Sequence, residues 1–119
     1  MASNAFRRES RILVSADYDK VFKNPVRASA SGVLVLACKN ENEGKPRLGL
    51  VVPKKVLKRA VWRNRVKRVI RETFRLSQHS LPNLDLVVIA RNPIGEFSNA
   101  ELSETLKRLW AQISHRLGK

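Results

Sequence analysis

The sequence of 119 residues predicts an α+β fold, a single domain with a four-stranded sheet and helices packed against it. Three observations predict it. Short apolar runs at 33–39 (VLVLACK), 47–52 (RLGLVV) and 85–90 (DLVVIA) have the length and composition of sheet strands, the first buried on both faces. Two longer stretches, 60–77 and 98–117, repeat apolar residues at helical spacing. A hydrophobic content of 43% is enough to build a core at this chain length, which suits one domain spanning 1–119. Taken in order, the elements read α-β-β-β-α-β-α, a sandwich of sheet and helices.

Residues 1–14 are basic and show no clear period, though Ile12, Leu13 and Val14 could dock as an extended arm. Ser15 is placed to cap a short helix whose first turn holds Asp17 and Asp19, acids that suit a helix N-terminus. Tyr18, Val21 and Phe22 fall at i, i+3 and i+4 and share one face. Asn24-Pro25 ends that helix. An earlier strand fits 26–30, with Ser31-Gly32 as a turn. The runs at 33–39 and 47–52, joined by the polar segment 40–46, predict an antiparallel hairpin. Pro53 then ends the ladder.

At 100° per residue, Trp62, Val66, Val69, Ile70 and Thr73 gather in one arc of the helix 60–77, with Phe74 at its edge. Asn64, Arg68, Arg71 and Arg75 lie opposite. Arg63 and Lys67 flank the arc on one side, Arg65 on the other. This is an amphipathic helix with a stripe for the sheet and a broad cationic face. A loop at 78–84 leads to the strand 85–90. Ser98 and Glu101 then form a capping box ahead of Leu102, Leu106, Leu109, Trp110, Ile113 and Leu117. There is no internal repeat or second domain.

Charge narrows the function classes. The chain carries 24 Lys and Arg against 10 Asp and Glu, a net +14. Residues 53–75 alone hold 10 of those cations (Lys54, Lys55, Lys58, Arg59, Arg63, Arg65, Lys67, Arg68, Arg71 and Arg75) and one acid, Glu72, so their net charge is 10 − 1 = +9. Such density costs stability through self-repulsion unless a polyanion neutralises it. A solvated face normally interleaves signs, whereas here only Glu72 relieves the positives, through Arg68 and Arg75. Phosphate binding is the reading, and the Arg-rich helix suits bidentate contacts to phosphate and stacking on bases. Asn64 adds a donor and an acceptor for a base edge or a sugar hydroxyl.

An anionic membrane is the weaker partner. The longest apolar runs fall far short of the roughly 20 residues that a span needs, and Arg7, Glu9 and Arg11 interrupt the place of a signal peptide. The lone Cys38 cannot form an internal disulfide, fits a reducing cytosol and reads as a small apolar strand residue. A cytoplasmic location is expected. Catalytic candidates are scarce: His79 and His115 have no sequence partner, no Cys or His spacing suits a metal, and no glycine pattern forms a nucleotide loop. Alone, the chain reads as a binder with no small-molecule cofactor. Tyr18 and Phe22 carry two readings, core packing of a short helix or a stacking platform for unpaired bases.

The run Arg63-Asn64-Arg65-Val66-Lys67-Arg68-Val69-Ile70-Arg71-Glu72-Thr73-Phe74-Arg75 resembles the signature of the bacterial ribonuclease P protein subunit. Phe6-Arg7-Arg8-Glu9-Ser10-Arg11-Ile12, Asp17-Tyr18-Asp19-Lys20-Val21-Phe22, Leu48-Gly49-Leu50-Val51-Val52-Pro53-Lys54-Lys55 and the strand from Asp85 to Ala90 match the same family, so the resemblance spans the chain. Val56-Leu57-Lys58-Arg59 stands where many members have a glycine-containing turn, and this longer basic version is similar to the gammaproteobacterial form. The resemblance implies the same sandwich with a left-handed crossover. It implies that catalysis belongs to a partner RNA, a ribozyme that removes the 5′ leader of precursor tRNA with Mg²⁺ bound chiefly by RNA. It further implies that Tyr18 and Phe22 lie in a leader cleft and that Arg63, Asn64, Arg65, Lys67, Arg68 and Arg71 belong to the basic motif. The alternative is a ribosomal or other structural RNA-binding protein with no processing role.

Overall fold

The computed structural model describes residues 15–23, 25–39 and 46–117. The arm expected at 1–14 and most of the loop at 40–46 lie outside the described residues, as does the side chain of Ser15. Helix α1 (Ser15–Lys23) is followed by strands β1 (Val26–Ala30), β2 (Val33–Lys39) and β3 (Arg47–Val51). Helix α2 (Ala60–Ser77), strand β4 (Leu84–Ala90) and helix α3 (Asn99–Leu117) complete the order, with short 3₁₀ turns at Gln78–Ser80 and Ile94–Glu96. The predicted α-β-β-β-α-β-α order is the observed one.

The pairing differs from the sequence expectation. The sheet order is β1-β2-β4-β3. The hairpin is β1–β2, turned at Gly32, whose φ of 82° suits glycine. β2 does not pair with β3. Its other edge takes β4 antiparallel, with Val35 opposite Val88, and β3 lies beyond β4 and parallel to it, with Leu48 opposite Leu86. The physical reason is that β2 spends both edges on β1 and β4. The long α2 segment supplies the crossover that parallel neighbours require.

Strand alternation divides the interior in two. Val33, Val35 and Ala37 of β2, Leu48 of β3, and Leu84, Leu86, Val88 and Ala90 of β4 face one way, toward Val66, Ile70 and Phe74 of α2 and Leu102, Leu106, Leu109, Trp110 and Ile113 of α3. Phe74 meets Trp110 edge-on, ring centroids 6.3 Å apart. Leu36 of β2 and Val87 of β4 face the other way and bury Val21 of α1. Thus β2 and β4 are covered on both faces, as continuous apolar runs require.

The ends of the elements follow from local chemistry. Ser98 and Glu101 close the predicted capping box at α3: the Glu101 N–H donates to Ser98 Oγ at 3.1 Å and the Ser98 N–H to Glu101 Oε1 at 2.8 Å. Donation to the carboxylate from the Ser98 backbone N–H, and then from the Ser98 side chain, holds the Glu101 carboxyl below its ordinary 4.5. Within α2, Thr73 is buried and satisfies its hydroxyl on the carbonyls of Val69 and Ile70. Trp62 departs from its expected place in the stripe: it is 47% exposed. It sits in the first turn of α2, and the Arg59 guanidinium lies 5.2 Å from its ring centroid.

Candidate nucleic-acid interface

The fold presents two surfaces on opposite sides of the sheet. The first is α2 with the turn before it. That turn is shaped by Val56 and Leu57 N–H groups donating to Pro53 O at 3.0 and 3.2 Å, and anchored by the buried Leu57. Lys54, Lys55, Lys58 and Arg59 all project from it into solvent. On α2 itself, Val66, Ile70, Thr73 and Phe74 are buried, and Asn64, Arg68 and Arg71 on the outer side are exposed.

The remaining cations of the motif have partners within the chain. Arg63 Nη1 donates to the carbonyls of Leu57 and Lys58, both at 2.9 Å, and so ties the helix to the turn. Arg65 Nη1 donates to Asn99 Oδ1 at 2.7 Å and to Phe97 O at 3.2 Å, clasping α2 to the start of α3. Arg75 pairs with Glu72, whose carboxyl is held low mainly by the hydrogen bond from Arg75. Lys67 is half-buried on the flank. The helical angle places Arg63, Lys67 and Arg65 on the flanks of the apolar stripe and Arg75 on the outer side, without their partners. The structure separates the cations of the motif into exposed groups and groups that also brace the surface.

The second surface lies where α1 crosses the sheet. Tyr18 and Phe22 stack with centroids 6.4 Å apart and planes 25° from parallel. Tyr18 is half-buried, and Phe22 is 45% exposed, so the pair divides between the two readings: Tyr18 packs down and Phe22 stays available. Beneath Tyr18 lies Gly49 of β3, where a Cβ would stand 2.8 Å from the phenol ring. Leu34, Val51 and Ile89 on the same side are only partly covered. Gly49 is a site residue that sequence reasoning did not single out. Its signal was present, since a glycine inside a strand marks close approach of another group.

On this side Arg47 grips Asp85, and Cys38 sits beside them in the strand register. Burial, and then the Asp85 carboxylate, push the Cys38 thiol up, against smaller opposing effects of Lys20 and Arg47. Among the described residues no three His, Cys, Asp or Glu side chains come together to hold a metal ion, so these side chains do not build the oxygen-rich cage that a hard divalent cation needs. Among them, too, no helix is long and apolar enough to cross a membrane. His79 and His115 are both exposed.

A small mixed sheet with one cationic crossover helix and an aromatic strip on the opposite face defines a class, the small α+β proteins that bind RNA. Residues 6–114 match the family model for ribonuclease P, and the chain belongs to that family. It is similar to the RNase P protein of Staphylococcus aureus, with 30% identity and a TM-score of 0.81 over 88% of this chain and 97% of that one. It is likewise similar to the RNase P protein of Thermotoga maritima solved with 1-(4-fluorophenyl)-2-thiourea, with 30% identity and a TM-score of 0.79 over 87% of this chain and 99% of that one. The chain is therefore an RNA-binding protein component of the ribonuclease P ribonucleoprotein and takes part in tRNA processing. The reading as a ribosomal protein falls away.

Proposed function

We propose that this chain is the non-catalytic subunit of its enzyme, binding the catalytic RNA through α2 and the turn before it, and the 5′ leader of precursor tRNA beside α1. The observation that carries the proposal is the placement of the two surfaces on opposite faces of one rigid sheet. Lys54, Lys55, Lys58, Arg59, Asn64, Arg68 and Arg71 are exposed together on one side. Tyr18 and Phe22 stand on the other. A protein built this way can touch two RNAs at once and offset the repulsion between their phosphates.

Each surface has a distinct role. The cationic face binds by phosphate neutralisation, with Arg63, Arg65, Lys67 and Arg75 supporting it from the flanks. The aromatic strip binds by stacking, which accepts any base and so tolerates leaders of different sequence. Hydrolysis of the phosphodiester, and the Mg²⁺ that assists it, belong to the RNA. The protein supplies affinity and position, and acts in the cytoplasm, where precursor tRNA is its substrate-side partner.

The test is reconstitution with the cognate catalytic RNA at low Mg²⁺. Adding the protein accelerates removal of the leader, and protein free of RNA cuts nothing. Equal rates with and without protein would overturn the proposal.

A further inference from the structure

Because β3 and β4 run parallel, they deliver their C-terminal loops to the same end of the sheet. Between those loops and the first turns of α2 lies a cleft of about 520 Å³. Lys55, Lys58, Trp62, Arg65, Asn92 and Glu96 line it. Its size falls within the range of pockets that hold small molecules. We propose that this cleft is a nucleobase subsite, in which one unpaired base of a bound RNA stacks on Trp62 while its flanking phosphates rest on Lys55, Lys58 and Arg65. The inference rests on the RNA-binding reading above and adds a contact that charge alone does not provide.

Four observations carry it. Trp62 belongs by periodicity to the buried stripe of α2, yet it is 47% exposed and reaches the cleft. The Arg59 guanidinium already stacks on that indole, and Arg59 itself is not part of the cleft lining. Arg65 is held in place by Phe97 O and Asn99 Oδ1 through one nitrogen, and the guanidinium has further N–H groups to donate. The lining has three cations against one acid, Glu96, while Asn92 and Glu96 can answer donors and acceptors on a base edge. A cationic pocket with one large exposed ring matches a nucleotide, whose base is flat and whose phosphate is anionic.

The experiment uses the full chain labelled with fluorotryptophan, which gives one fluorine signal for each of its two tryptophans, Trp62 and Trp110. Loss of one signal in Trp62→Phe assigns them, and the buried Trp110 serves as the internal reference. Titration with hexa-adenylate shifts the Trp62 signal saturably and leaves Trp110 in place, whereas an abasic ribose-phosphate hexamer at the same concentration does not shift it. In parallel, Trp62→Ala weakens binding to the catalytic RNA by about tenfold, Trp62→Phe by much less, and neither changes the salt dependence, because no charge is lost. Equal shifts with the abasic hexamer, or unchanged RNA affinity in Trp62→Ala, would overturn the subsite. A Trp62 shift with hexa-adenylate in a protein that fails to bind the catalytic RNA would instead overturn the proposed function and leave the subsite standing.

Discussion

Arg47 and Asp85 are register partners across the parallel pair β3–β4, and their side chains close a two-pronged ion pair with both N···O distances at 2.8 Å. Asp85 is fully buried and the Arg47 side chain is 20% exposed. A fork of this kind fixes direction as well as distance. It locks the edge strand β3 in the register that places Gly49 under Tyr18.

Arg47→Ala and Asp85→Ala are each expected to lower stability by about 3 kcal/mol, the scale of breaking a buried pair. Urea denaturation of both variants and of the double variant checks this. The double variant should lose less than the sum, with a coupling of about 1–3 kcal/mol. Simple additivity would show that the pair does not act as a unit.

Gly49→Ala puts a methyl group where the Tyr18 ring lies, so the ring must move. The expected result is binding of leader-bearing precursor tRNA weakened by about tenfold, comparable to the loss of one stacked base, with mature tRNA little affected. Tyr18→Ala and Phe22→Ala should behave alike, each with a thermal melt as a control for stability. Equal losses on precursor and mature tRNA would remove α1 from leader recognition.

Arg68→Ala and Arg71→Ala each remove an exposed cation from the outer face of α2. Each should weaken binding to the catalytic RNA and reduce the slope of log affinity against log salt by about 0.7–0.9. Arg→Lys at the same positions should keep the slope. Filter-binding isotherms over a salt series provide the measurement, and an unchanged slope in the alanine variants would place the phosphates elsewhere.

The capping box makes an acid-side prediction. Glu101 is held below its ordinary 4.5 by the bonds from Ser98, so its contribution is complete above that value and is lost as the pH falls through the lower folded value. Glu101→Gln can keep the hydrogen bond but does not titrate. The difference in urea midpoint between the two proteins should therefore be constant near neutrality and shift as the pH is lowered toward about 3. A difference independent of pH throughout would exclude Glu101 as the source.

The element order and the two-sided burial of β2 and β4 could be read directly from runs such as VLVLACK and DLVVIA, because full burial leaves a continuous apolar signature. The strand pairing could not. Proximity in sequence favoured β2 with β3, but pairing is decided by which edges remain open, and α2 is long enough to bring the chain back from β3 so that β4 enters between β2 and β3. In the site, the outward placement of Asn64 and of the cations Arg68 and Arg71 followed from helical angle alone. The inward bonds of Arg63 and Arg65 were not, since their acceptors, the carbonyls of residues 57, 58 and 97, exist only once the turn and α3 have folded. Trp62 was misplaced because periodicity does not register that in the first turn of α2 the indole meets Arg59 and the cleft in place of the core.

Those inward bonds change what the Arg-Asn-Arg run means. Arg63 fastens the turn behind α2 and Arg65 fastens the helix beside it. Two of its three residues thus act as struts of the scaffold on which the outer cations are mounted. In each, a single guanidinium nitrogen, Nη1, donates to both acceptors, and a lysine in either place keeps the charge but not the rigid planar group with its further N–H donors. Arginine there answers a demand of architecture as much as of electrostatics, and a loss of RNA affinity after changing Arg63 would report a platform out of true, whereas at Arg65 it would add the loss of a phosphate contact in the proposed cleft.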